Sequence, residues 1–186
     1  MSGSEIIIVR SLAESDMGLF SAHRQATLSK QRAIALTTPA AAELLHPSVL
    51  RSEGAEFDCI CVFGGSHNRE LRLIKKVGKN WRLGGRQIEG REFRELDAKD
   101  FALIRSRRHN DSSSPILMTF IGRRSHRWVQ AGLAATFEKA LQHQSVVVFN
   151  ESSADFETLA ELFPAIPARV AAQPCAPATA SLLSGM

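Results

Sequence analysis

Between Asn68 and Phe93 the chain reads NRELRLIKKVGKNWRLGGRQIEGREF, a run of cations around a tryptophan and a Gly-Gly pair set between two strand-like segments. From Arg69 to Arg127 there are 16 of the chain's 23 lysines and arginines against 7 acids, a local excess of 9 charges where the whole chain carries +4. Most of these cations are arginines, whose planar fork suits phosphates and guanine edges, and they cluster rather than alternate with acids. Such a segment either forms a solvated face or lies along a phosphate backbone. On the second reading Arg72, Lys75, Lys76, Lys79 and Arg86 contact phosphates, and Asn80 and Arg82 reach base edges. Trp81 either stacks on a sugar or base or folds back into the core.

A second set lies earlier, in the irregular stretch carrying His23, Arg24, Gln25, Ser29, Lys30 and Gln31. Arginine, glutamine and lysine are residue types that read base edges and phosphates, and a loop between two strands can carry them into a groove. Read without that chemistry, it is a polar surface loop.

Catalytic patterns are scarce. The sequence holds no G-x-S-x-G elbow, P-loop or H-E-x-x-H. Asp97, Lys99 and Asp100 are the one grouping of acids with a lysine that a metal-dependent nuclease could use, although LDAKDF also reads as the lead into a strand. Cys59 and Cys61, two apart in EFDCICVF, fall on one face of a strand as buried thiols, and no C-x-x-C or H-x₃-H spacing offers zinc its ligands. No cofactor is expected.

These residues need elements to position them. At 186 residues and 44% apolar content the chain can build one domain with a real core. Short strands are predicted at Glu5–Arg10, Arg32–Leu36, Phe57–Phe63, Arg69–Val77, Trp81–Leu83, Phe101–Arg105 and Ile116–Ile121, with a further short element starting at Arg91. Thr38 followed by Pro39 starts a short helix over PAAAELLH. Many short strands with one early helix give a mainly β, barrel-like domain over residues 5–127. From Val129 the period changes, predicting a helix to Gln142, a strand over Ser145–Phe149 and a helix over Ser153–Phe163, a small and more acidic appendage over residues 128–165. Residues 166–186 are Pro/Ala/Ser-rich and read as a flexible tail. With no apolar run near ~20 residues and no signal-peptide pattern at MSGSEIIIVRSLAESD, the chain reads as cytoplasmic and off the membrane.

The order of these features resembles the DNA-binding pseudobarrel superfamily, found in plant auxin-response-type transcription factors and in the recognition domain of EcoRII-type restriction enzymes. The likeness rests on a strand ending in Arg10-Ser11-Leu12, Asp16-x-Gly18 with the loop His23-Arg24-Gln25, a strand and proline-started helix, and a later strand running into Gly78-Lys79-Asn80-Trp81-Arg82-Leu83. It covers about Ile6 to Arg123; the part after Arg127 has no counterpart. The resemblance implies a seven-stranded open pseudobarrel that clasps the major groove of double-stranded DNA between two arms. The first arm would carry His23, Arg24, Gln25 and Lys30, and the second Lys75, Lys76, Lys79, Asn80, Trp81 and Arg82. It implies a recognition component of a restriction-modification or related defence system, working with a nuclease or methyltransferase partner or with a second copy of itself. A nuclease, or an interaction subunit that binds its partner through the acidic C-terminal part, are the other readings the residues leave open.

Overall fold

The computed structural model of the protein describes residues 4–23, 31–63, 66–124 and 132–163. In chain order the strands are β1 (Glu5–Ser11), β2 (Ala33–Leu36), β3 (Gly54–Phe63), β4 (Ser66–Val77), β5 (Asn80–Gly84), β6 (Phe101–Arg107), β7 (Ile116–Ile121) and β8 (Val146–Asn150). The helices are α1 (Thr38–Leu44), α2 (Pro47–Arg51), α3 (Leu133–Ala140) and α4 (Phe156–Ala160). The strands form one mainly antiparallel, nearly closed barrel-like sheet in the order β2-β5-β4-β3-β7-β6-β1-β8, with β3 and β7 parallel. No helix among the described residues is long and apolar enough to cross a membrane.

The apolar pattern explains which strands are covered on which side. On β1, Ile6, Ile7, Ile8 and Val9 are all fully buried. Ile6 and Ile8 face the barrel interior, whereas Ile7 and Val9 join a second core outside it. β6 and β7 divide in the same way, with Ala102, Ile104, Ile116 and Met118 inside and Phe101, Leu103, Leu117 and Ile121 outside. A strand buried on both faces loses the two-residue alternation and becomes a continuous apolar run. The outer core is closed by Phe137 of α3, Phe156 and Leu159 of α4, and Phe163.

The segment after residue 131 therefore contributes to the same sheet. β8 pairs antiparallel with β1 from Ile6↔Asn150 to Arg10↔Val146, giving eight strands where the sequence reading counts seven before an appendage. The element predicted at Arg91 is a 3₁₀ turn over Glu92–Glu95, and α2 is an added turn started by Pro47. The predicted early helix forms, but its cap is Thr37, one residue before Thr38: Thr37 accepts a hydrogen bond from the Ala40 amide, and Ala40, Ala41 and Leu44 enter the inner core beside β1, β5 and β8.

The loop after β1 is tied down by one acid. Asp16, fully buried, accepts from Arg10 Nη2 at 3.0 Å and the Ala13 amide at 2.9 Å through Oδ2, and from Gln31 Nε2 at 3.2 Å through Oδ1. Gln31 also donates to the Ala33 carbonyl at 2.9 Å, so both ends of the long loop converge on one carboxylate.

Phe137 links the outer core, its ring 5.4 Å from that of Phe101 and 6.5 Å from that of Phe149. Phe137→Ala is expected to cost about 3–5 kcal/mol. Urea unfolding should show that loss in one transition shared by near- and far-ultraviolet dichroism. Separate transitions would mean that the α3 layer folds apart from the barrel.

Candidate nucleic-acid interface

On β4, β5 and β2 the alternation returns, because one face only is covered. Ile74, Trp81, Leu83, Ile34 and Leu36 point into the inner core. The opposite face presents Leu71, Leu73 and Lys75 on β4, Asn80 and Arg82 on β5, and Ala33 and Ala35 on β2. Register places Lys75 opposite Arg82 and Arg82 opposite Ala35, so a lysine, an arginine and an alanine form one row across three strands. In the next row Gly84 lies between Leu73 and Ala33. A Cβ at Gly84 would come within 2.9 Å of Ala33 Cβ and of the Arg32 carbonyl oxygen, so this position requires glycine. Of these small residues Ala33 and Gly84 are buried and Ala35 is half-buried.

The hairpin joining β4 and β5 closes at Val77↔Asn80 around Gly78 and Lys79, with Gly78 at φ +60°, a conformation that glycine adopts without strain. Thr38 Oγ1 donates to the Lys79 carbonyl at 2.8 Å and fixes this tip against the start of α1. Lys79 and Asn80 are exposed there. Arg86 is exposed just beyond the far end of β5.

Ion pairing separates the cations into two groups. Arg69 binds Asp58 at 2.5 Å, Arg105 binds Glu5 at 2.7 Å, Arg108 binds Glu43 at 2.7 Å, and Lys76 approaches Glu53 at 3.3 Å. The three hydrogen bonds to Asp58 hold the Arg69 guanidinium above its usual value. Lys75, Lys79, Arg82 and Arg86 have no carboxylate within ion-pair distance among the described residues. Part of the local positive charge is thus neutralised in place; of the cations without a carboxylate partner among the described residues, Lys75, Lys79, Arg82 and Arg86 sit on and around β4 and β5, while others such as Arg107, Arg123 and Arg124 lie on β6 or beyond β7.

Two residues expected at the surface are in the interior. Trp81 is 2% exposed and belongs to the inner core, since its position on β5 shares a face with Leu83. Arg72 is 1% exposed on the inner face of β4, paired with Glu70, and its Nε and Nη1 have no hydrogen-bond acceptor among the described residues. An arginine in a strand was read as a surface cation, but the period of two places it with Ile74. Lys76 also turns to that side, although it stays exposed at the sheet's end. The face the strand exposes is the one with Leu71 and Leu73, the reverse of what hydrophobicity alone suggests.

In the first arm, His23 Nε2 lies 2.7 Å from the Phe93 carbonyl oxygen and is half-buried. Arg24, Gln25 and Lys30 lie outside the described residues, as does the tail from residue 164. Their flanks are placed: Gln31 leads into β2, whose first residue Ala33 pairs with Gly84. Ala33 and Ala35 were not singled out in the sequence; their alternation with Ile34 and Leu36 is the signal for them.

Asp100 does not stand free for catalysis. Its Oδ2 accepts from the Asp97 amide at 2.7 Å and its Oδ1 from the Arg123 amide at 2.8 Å, closing the turn before β6. Among the described residues no group of three His, Cys, Asp or Glu side chains could hold a metal ion. Cys59 and Cys61 are buried on the inner face, and burial pushes both thiols up. No protein-family model and no curated protein matches the chain.

The burial of Trp81 is open to direct test. In a Trp128→Phe protein the remaining indole should emit at short wavelength and resist acrylamide, and Trp81→Ala should cost about 3–5 kcal/mol in urea unfolding. Ready quenching, or a loss below about 1 kcal/mol, would contradict this placement.

Proposed function

We propose that this chain is a sequence-reading, double-stranded DNA-binding module of the pseudobarrel kind, which grips the major groove between two arms. The observation that carries the reading is the set of unpaired cations, Lys75, Lys79, Arg82 and Arg86, on and beside the part of the sheet that the helices leave uncovered. Dimensions support it. Asn80 to Gly84 spans about 14 Å at roughly 3.4 Å per residue, close to the ~12 Å width of the major groove. The Lys79 tip lies at one end of that span, and Arg86 with the entry into β2 lies at the other.

Lys75, Lys79 and Arg86 supply phosphate contacts in this proposal, and Asn80 and Arg82 read base edges. Arg82 is half-buried between its neighbours, which limits its rotamers and suits it to directional recognition. By resemblance Arg24, Gln25 and Lys30 complete the first arm, with His23 fixing its root. Arg72 and Trp81 support the barrel from within, and Lys76 stays with Glu53. The same resemblance makes the module the recognition component of a restriction-modification or related defence system in the cytoplasm, with cleavage or methylation supplied by a partner or by association with a second copy.

The two kinds of contact should separate in binding measurements. Lys75→Ala and Lys79→Ala are expected to weaken all duplexes alike and each to lower the slope of log affinity against log salt by about 0.9. Arg82→Ala is expected to cost about 1–3 kcal/mol on the preferred site and much less on random sequence. Unchanged duplex affinity at low salt in all three variants would overturn the assignment.

A further inference from the structure

Among the described residues two large apolar side chains are exposed, Leu71 at 65% and Leu73 at 38%, and both lie on β4. One exposed leucine is ordinary. This pair alternates with Arg72 and Ile74, which are buried, so the period of two sets both on the outward face in line with Lys75, the next residue on that face. The outward apolar residues of β1, β6 and β7, such as Val9, Leu103 and Leu117, pack in the outer core, whereas Leu71 and Leu73 belong to neither core.

The flanks of the pair differ in charge. On the β5 side Arg82 stands opposite Lys75, and Gly84, opposite Leu73, adds no side chain to its row. A Cβ at Gly85 would lie 3.6 Å from the Leu71 carbonyl oxygen, so the chain that leads to exposed Arg86 passes beside Leu71. On the β3 side Glu56 stands opposite Leu73 and Asp58 opposite Leu71. Asp58 is engaged by Nε and Nη2 of Arg69, and Glu56 is exposed. Cations therefore border the leucines on the side of β5 and acids on the side of β3.

Building on the DNA-binding proposal, we infer that Leu71 and Leu73 contact the methyl groups of thymine in the major groove, and that the module selects sites with thymine there. The thymine methyl is the apolar group that B-DNA presents in that groove, beside hydrogen-bonding edges of the kind assigned to Asn80 and Arg82. Phosphates are drawn to the flank of Lys75 and Arg86 and kept off Glu56, so bases rather than backbone fall on the leucines. Covering a methyl group with a leucine removes both from water, which favours thymine without any added hydrogen bond. A second copy of the chain is the weaker match, because two side chains supply far less than the ~800 Å² that each partner buries in a stable protein interface.

The test uses the full chain and a duplex recovered by selection from a random pool, synthesised once with thymine and once with deoxyuridine in its place. Deoxyuridine keeps the base pair and its O4 acceptor and removes only the methyl group. The parent should bind the thymine duplex more tightly, by about fourfold for each methyl group that a leucine covers. Leu71→Ala and Leu73→Ala should each reduce that preference, mainly by weakening the thymine duplex, and Leu73→Met, which keeps an apolar contact, should retain it. Equal affinity of the parent for the two duplexes, or a thymine preference that both alanine variants keep in full, would overturn the contact. So would alanine variants that dissociate a dimer in sedimentation while their thymine preference stays at the parent value. If the two duplexes bind equally while Arg82→Ala still weakens the preferred site, the leucine contact alone fails; if the parent binds no duplex at low salt, the DNA-binding proposal fails with it.

Discussion

A sheet has two faces, and among the described residues this one is covered on its outer side only across β8, β1, β6 and β7. The rest of the structure depends on that uneven burial. The strands under the helices carry apolar residues at successive positions, as in Ile6 to Val9, and each supplies side chains to two cores at once. The strands beyond the helices, β4, β5 and β2, bury one face and open part of the other, so outward positions such as Lys75 and Asn80 are free of the demands of packing. Stability and surface chemistry are thereby separated along a single sheet, with the aromatic layer of Phe101, Phe137 and Phe149 on one half and Lys75, Arg82 and Ala35 on the other.

Charge follows the same division. Several arginines that make the central sequence look uniformly basic are matched by acids from distant parts of the chain: Arg105 by Glu5, Arg108 by Glu43 and Arg69 by Asp58. The pair exposed on both sides, Arg108 with Glu43, adds little to stability, about 0–1 kcal/mol, but each pair cancels the local field where it forms. Lys75, Lys79, Arg82 and Arg86, on and around β4 and β5, have no such match among the described residues. Asp16 extends the logic to the loops, because its buried carboxylate orients Arg10, stops the turn at Ala13 and receives Gln31, anchoring the long loop to the sheet that it leaves and re-enters.

Much of the fold was legible in the sequence. The positions of β1 to β7 and of α1 follow from short β-branched and apolar runs and the Thr38-Pro39 helix start. The placement of β8 was not, because five residues such as VVVFN show that a strand forms without showing which neighbour it joins; that is decided by long-range pairing with β1. The site was legible in type more than in orientation. Lysine and arginine mark a basic segment at once, yet the facing of Arg72, Lys76 and Trp81 depends on the phase of a two-residue period. In β4 that phase was masked by Leu71 and Leu73, apolar residues on the exposed side, the first of them 65% exposed. Trp81 was readable either way until its register with Leu36 and Lys76 fixed its direction. Small residues were the other blind spot, since Ala33, Ala35 and Gly84 carry no chemistry of their own and matter only through the close approach of β2 and β5.

The proposal that the bare face reads double-stranded DNA is tested most directly by selection of bound duplexes from a random pool at moderate salt, followed by sequencing over successive rounds. The account predicts that one short motif rises steadily over the input, because Asn80 and Arg82 discriminate base edges while Lys75, Lys79 and Arg86 hold the backbone. A pool that stays random through every round, or no duplex retained at all, would contradict it.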